Sequence, residues 1–356
     1  MTEFIDLEQE PVSILRALGK DERLVPYGGG NFGMPLSLIE PASSRIVDVE
    51  RFFMRSNGPV PVISRDEWRL RISGLVERPL TLTFDDLVDQ PAREHEAFLE
   101  CAGNGRTRFD PLPPGTPWIN DAVGNAVWGG IPLSTLLEMA GVRPDAVDIV
   151  SQGGDFPEMR RGLPISVAMH PETMVVWTMN GDPLPAAHGG PVRLLVPGWA
   201  GIASTKWLVG LDVQDHPFDG FWNADNYVFW DASGTALRPI ADMPPKSLIA
   251  APEDGATIAA GTVSVLGWAW SGYGGIQQVQ VSVDGGATWQ CAGLGCTSGR
   301  GWRRWEHRWQ ATPGMHRIAA RATDERRLTQ PEIAAWNGKG YQMNAIQYVS
   351  VHVVSE

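Results

Sequence analysis

Cysteine is scarce in this chain: 356 residues hold three, Cys101, Cys291 and Cys296. Three thiols exclude a disulfide framework. Cys291 and Cys296 either pair or sit reduced in a hairpin, and with only His307 nearby their spacing is not that of a zinc site. Lysine is nearly as rare, with Lys20, Lys206, Lys246 and Lys339 the only four. Arginine is therefore expected to build any cationic funnel. The net charge of −12 argues against nucleic-acid binding and repels an anionic substrate unless a local cluster of cations receives it. No run approaches the roughly 20 apolar residues that span a bilayer. The acidic start, Met1-Thr2-Glu3-Phe4-Ile5-Asp6, lacks a basic stretch followed by an apolar one. The expectation is a cytoplasmic chain, or a periplasmic one if a leader has been trimmed away, that engages no membrane. Also missing are a G-x-S-x-G elbow, a Walker A loop, an H-E-x-x-H helix and a C-x-x-C-H haem site.

What is present points to two domains, since 356 residues exceed one minimal core. Residues 1–44 read as an irregular lead with one short helix at 11–18. Gly28 to Gly33 match G-x-G-x-x-G formally. No strand precedes them and Pro35 and Pro41 forbid a long following helix, so a flexible turn is expected. Alternation predicts a strand at 68–76, and apolar runs predict strands at 147–151, 174–179 and 192–197. Short helices are expected at 82–88, entered through Thr83, and at 132–140, capped by Gly141. This mixture has no βαβ rhythm and reads as α+β. Beyond a linker at 241–251 the texture changes to short alternating runs at 262–270, 276–283, 302–310, 315–322 and 346–354, with Asp284-Gly285-Gly286 as a hairpin turn. That pattern is an all-β, immunoglobulin-like sandwich. The expected domains are 1–243 and 244–356.

Four segments carry chemistry. In Cys101-Ala102-Gly103-Asn104-Gly105-Arg106, a soft metal ligand and an oxyanion partner share one loop. The others are Phe52-Phe53-Met54-Arg55-Ser56-Asn57, then His188-Gly189-Gly190-Pro191-Val192-Arg193 with Ser204-Thr205-Lys206-Trp207, and Phe221 to Tyr227. The Gly-rich turn with His, Arg, Ser, Thr and Lys nearby suits a phosphate or another anion.

In this order and spacing the four segments resemble the sulfite oxidase family of molybdenum enzymes, from about residue 45 to the end. The resemblance implies an α+β domain built around a molybdenum–molybdopterin cofactor, followed by an immunoglobulin-like domain that mediates homodimerisation. It implies that Cys101 ligates the metal. Phe52, Phe53, Met54, Arg55 and Ser56 would wrap the pterin, with Asp155, His188, Arg193, Ser204, Thr205 and Lys206 as further pterin or phosphate contacts. Arg55 and Arg106 would face the anion, Tyr227 would stand beside the metal, and Trp128 would wall the pocket. Arg304 is the expected closing arginine from the second domain. Gly105 and Asn226 depart from the family pattern, which more often has a basic and an acidic residue there, and Ser56-Asn57 stand where Asn-His is more usual.

The implied activity is two-electron oxidation of sulfite to sulfate. With no haem domain or haem motif in the chain, electrons would pass to a separate acceptor: a cytochrome, another redox protein or dioxygen. Sulfane dehydrogenase-like oxidation of another sulfur compound and reduction of a sulfoxide on the same cofactor remain open, as does a metal-free anion-binding module.

Overall fold

Two β-sheets and a sandwich organise the chain, whose computed structural model describes residues 3–39 and 45–355. The first sheet runs in the order Arg160–Pro164, Asp148–Gly153, Leu208–Gln214, Arg69–Gly74, Leu80–Thr83. Only Leu208–Gln214 and Arg69–Gly74 are parallel neighbours in it. The second runs Asp182–Pro183, Met174–Met179, Val123–Pro132, Arg93–Glu100, with Arg193–Leu195 also paired to Met174–Met179. Between them lies a core of Leu70, Ile72, Leu136, Val175, Leu194 and Leu211.

Local chemistry accounts for the helices. Thr83 and Asp86 close a reciprocal capping box on Phe84–Val88, satisfying two otherwise orphaned backbone donors. Helix Leu133–Ala140 buries Leu133, Leu136, Leu137 and Ala140, the one-face spacing of an amphipathic helix, and stops at Gly141 with φ +70°.

The second half is a sandwich. Lys246–Ala251, Gly261–Trp270, Arg303–Ala311 and Gly293–Leu294 form one sheet. The other contains Thr257–Ala259, Gln347–Val354, Gly314–Asp324, Ile276–Ser282 and Gln290–Cys291. Val265, Trp305, Val279, Ile318 and Val351 fill the space between. The Asp284 turn forms as expected, its carboxylate accepting from Thr288 N at 2.9 Å. Cys291 and Cys296 are free and exposed.

The lead is more ordered than expected. Glu3–Ile5 pairs with Val60–Val62, and helix Pro11–Ala17 delivers the buried Lys20. The glycine-rich stretch is a hairpin, Val25–Gly28 against Asn31–Gly33, not a flexible turn. Gly28, Gly29 and Gly30 all have positive φ, so glycine there is a requirement of the tight reversal. Residues 1, 2 and 40–44 of the expected lead, including Pro41, lie outside the described residues.

Candidate active site

Strand Arg93–Glu100 ends at Cys101, whose N–H donates to Ala122 O at 2.9 Å. Asn104 N returns to Cys101 O at 2.9 Å, and the Asn104 side chain accepts from Ala122 N at 3.0 Å, so the loop folds back on itself. Gly105 follows with φ +86°, and a Cβ there would meet Asn120 and Met343 at 3.0 Å. The basic residue usual in the family would be strained here. Cys101 is 7% exposed and lines two cavities that meet at it, one of about 740 Å³ and one of about 660 Å³.

The first cavity collects Phe52, Phe53, Arg55, Asp155, His188, Arg193, Ser204, Thr205 and Lys206, all expected as cofactor contacts. Ser56 stands just behind, accepting from Lys206 Nζ at 3.1 Å. Met54 does not reach it. Its side chain is buried in the core and only its backbone serves, pairing with Phe32. Trp207 also lines the cavity, at φ +49°, a left-handed backbone rarely tolerated by a bulky side chain and a frequent mark of functional sites.

The charges suit an anionic cofactor. Arg193 donates to the backbone oxygens of His188 and Ser204 at 2.8 Å, neutral acceptors that leave its charge uncompensated. Asp155 is the one acid of this lining, and its Oδ1 is buried with no partner among the described residues. Burial pushes Asp155 up to about 6 and Arg193 down to about 9, and holds Lys206 and His188 well below their usual values. Lys20, 2.9 Å from His188 Nε2, is pushed down to about 7 by the same cause. Among the described residues no three His, Cys, Asp or Glu side chains converge on a metal site. A metal on Cys101 would therefore take its remaining ligands from the cofactor, and a phosphate-bearing pterin would supply the counter-charge these cations need.

A stability test follows for the chain free of cofactor. Folded Lys20 releases its proton near pH 7, unfolded Lys20 near 10.5. Between those values the unfolded chain binds more protons, so stability rises with pH, and Lys206 adds in the same direction. The thermal midpoint relative to Lys20→Met should climb from pH 7 to pH 10. A constant difference would mean that Lys20 stays charged in the fold.

The second cavity shares Arg55, Cys101 and Tyr227 with the first and adds Arg106, Trp118, Lys339 and Tyr341. Arg55 Nη1 donates to Asn31 Oδ1 at 2.9 Å, so the hairpin of the lead aims it. Burial works against the Arg55 charge, yet Tyr227 and Cys101 hold its guanidinium above the ordinary value. Arg106 Nε donates to Lys339 O at 3.0 Å and Nη1 to Thr116 O at 2.5 Å. A Cβ on Gly103 or Gly115 would come within 3.0 Å of its guanidinium, so both glycines are needed for the fit. Tyr227 and Tyr341 stack at 5.3 Å, and Tyr341 Oη donates to Asn226 Oδ1 at 3.1 Å. Asn226 thus keeps the mouth neutral where an acid would repel an anion.

Three expectations change. Arg304 is not in either cavity; it lies on strand Arg303–Ala311, its Nη2 3.1 Å from Glu306. The second domain instead sends Lys339 and Tyr341, from a loop before its last strand. Trp128 is fully buried in the core, under Arg193 and against Phe52. Trp118 is the indole of the pocket, and its Nε1 is buried without a partner among the described residues. Finally, lysine is not absent from the funnel. Lys339 lines it, Lys206 and Lys20 serve the first cavity, and Lys246 lies beneath the Cys101 loop.

Comparison with known proteins agrees with this geometry. Residues 57–222 match the oxidoreductase molybdopterin binding domain and 237–354 the Mo-co oxidoreductase dimerisation domain. Mitochondrial sulfite oxidase of Rattus norvegicus is 34% identical over 85% of this chain and 61% of its own length. The chain thus spans about three fifths of that relative. Sulfite oxidase of Arabidopsis thaliana is 33% identical, covering 69% of this chain and 70% of the plant protein. The crystal structure of the sulfane dehydrogenase SoxCD from Paracoccus pantotrophus superposes with a TM-score of 0.82 at 29% identity, covering 96% of this chain and 90% of that one. A molybdopterin-binding α+β domain, a dimerisation sandwich and 33% identity to a sulfite oxidase over 69% of this chain and 70% of that protein place the chain in the sulfite oxidase family of molybdopterin oxidoreductases.

Proposed function

We propose that this enzyme oxidises sulfite to sulfate at a molybdenum centre ligated by Cys101, passing two electrons to a separate acceptor. The observation that carries the proposal is the convergence of Arg55, Arg106 and Lys339 with Trp118 and Tyr227 in one cavity lined by Cys101, in a chain of net charge −12. When bound, molybdopterin supplies a metal able to accept two electrons and transfer an oxygen atom. The chain's own groups do the rest. Arg55 and Arg106 hold the oxygens of the anion and turn its sulfur toward Cys101. The unpartnered Trp118 N–H offers another donor. Tyr227 presents its hydroxyl beside Arg55, where it can hold a proton as charge moves. Each charge-assisted contact is worth roughly 1.5–3 kcal/mol in a desolvated site. That offsets surface repulsion, which salt screens beyond about 8 Å.

Oxidation of a different reduced sulfur compound is the second reading, favoured by the likeness to sulfane dehydrogenase along 96% of the chain. Metal analysis with ferricyanide reduction driven by sulfite or by thiosulfate separates them. Stoichiometric molybdenum with sulfite as the better donor is the expected result. Protein without molybdenum, or turnover confined to another donor, overturns it. The dimerisation domain supports a homodimer in solution.

Lys339, not Arg304, is expected to supply the second domain's charge at the funnel. Lys339→Ala should raise KM for sulfite by about tenfold, the loss of one charge-assisted contact, while Arg304→Ala stays near the parent. Steady-state kinetics of the two variants check this, and the reverse order of effects would restore Arg304.

A further inference from the structure

The strand that delivers Cys101 is gripped from outside its own sheet. Arg93–Glu100 has a single strand partner, Val123–Pro132, along its length. Its other edge meets the second half of the chain: Arg300 N donates to Glu96 O at 2.8 Å and Phe98 N to Arg300 O at 3.1 Å. At the Cys101 end Glu100 bridges Ala200 of the first half through main chain, and the second half grips through side chains. The Glu100 carboxylate, 1% exposed, receives Lys246 Nζ at 3.1 Å and Asn104 Nδ2 at 2.9 Å on Oε1, and Trp270 Nε1 at 2.7 Å on Oε2. Lys246 Nζ also donates to Asn104 O at 3.1 Å, so one ammonium ties both ends of the Cys101 turn. Lys246 and Trp270 face each other across the ladder of the first two sandwich strands, which fixes their separation.

A buried ion pair is a poor way to add stability, since apolar residues of the same volume often do as well. It is a good way to specify a position, because every lone pair and proton must be met at a fixed angle. Here that specificity is spent one residue from the thiol.

We propose that Lys246 and Trp270 are positioning residues for the metal centre. Acting through Glu100 and Asn104, they set where the Cys101 sulfur points, which makes the sandwich domain a structural part of the catalytic site as well as a dimer contact. The proposal rests on Cys101 being the metal's protein ligand. Groups that support metal ligands from behind tune affinity or activity by about ten- to a hundredfold.

Three variants test it. Trp270→Phe removes one donor and leaves no charge unpaired. Glu100→Gln keeps the shape and removes the charge. Lys246→Met is the severest, and if it does not fold the other two decide. In the holoenzyme each should lower kcat by about tenfold or more with KM for sulfite within about twofold, and each should shift the Mo(V) electron paramagnetic resonance signal. The same two-domain chain made without cofactor, carrying Cys291→Ser and Cys296→Ser, gives a readout independent of turnover. Alkylation of Cys101 by iodoacetamide should accelerate about tenfold in the variants, as a released loop exposes its thiol. Unchanged resonance and unchanged alkylation in Trp270→Phe and Glu100→Gln overturn the proposal. If Cys101→Ser leaves the metal's sulfur ligation unaltered, the ligand assignment itself falls, whereas the alkylation rates still report whether the grip positions residue 101.

Discussion

Cys101→Ser is expected to lower kcat by about three orders of magnitude or more, on the order of 4 kcal/mol of barrier, without unfolding the chain. The bonds that hold the loop run through main chain at this residue: Cys101 N to Ala122 O and Asn104 N to Cys101 O, both 2.9 Å. Serine retains both. What it loses is the soft, readily ionised sulfur that a late-transition or molybdenum-type centre prefers over a hydroxyl. The thermal midpoint should stay close to the parent, because a nearly isosteric change at the wall of a cavity neither opens a void nor strands a buried partner. Turnover, molybdenum content and circular dichroism of the purified variant check the three parts separately. Sulfite oxidation near the parental rate would remove Cys101 from the chemistry.

The legibility of this chain in its sequence divides along physical lines. Strands with an apolar run, such as Met174–Met179, or with alternation, such as Ile276–Ser282, and helices with local stops, such as Leu133–Ala140 before Gly141, announce themselves. Strand Arg93–Glu100 does not, although it carries Cys101. Its first residues are charged and its last five are all buried, so no alternation survives. The cause is tertiary: Arg300, Trp270 and Lys246 cover what would otherwise be its solvent side. Arg55 and Arg106 were legible because they sit in motifs. Lys20, Trp118, Lys339 and Tyr341 were not, since each reaches the site from a loop or lead with no local signature. Arg304 was expected only from the family resemblance, and strand alternation carries it toward Glu306. The rarity of lysine points toward the site rather than away from it. All four lysines of an acidic chain lie in or beside the two cavities or under the Cys101 loop, where net repulsion makes a cation most useful.

Arg106→Met should be costly at the funnel through two separate effects. Its guanidinium is 6% exposed and donates to Lys339 O and Thr116 O. Methionine fills part of the volume but leaves Lys339 O without that donor, at about 1–3 kcal/mol if it is kept from water, while Thr116 O retains Trp118 N at 2.9 Å. The space shaped by Gly103 and Gly115 around a planar fork is not matched by a thioether, so a lower thermal midpoint is expected. The second effect is on the anion. Losing a charge-assisted contact worth roughly 1.5–3 kcal/mol lowers kcat/KM for sulfite by about ten- to a hundred-and-fiftyfold. Arg106→Lys separates the two, because an ammonium keeps the charge but cannot span Lys339 O and Thr116 O together. It should recover part of kcat/KM while remaining less stable than the parent. The loss should also shrink as ionic strength rises, since salt weakens the attraction that the parent enjoys and the methionine variant lacks. Equal kcat/KM in parent and Arg106→Met at low salt would mean that the anion binds elsewhere, and that the glycines around Arg106 serve packing alone.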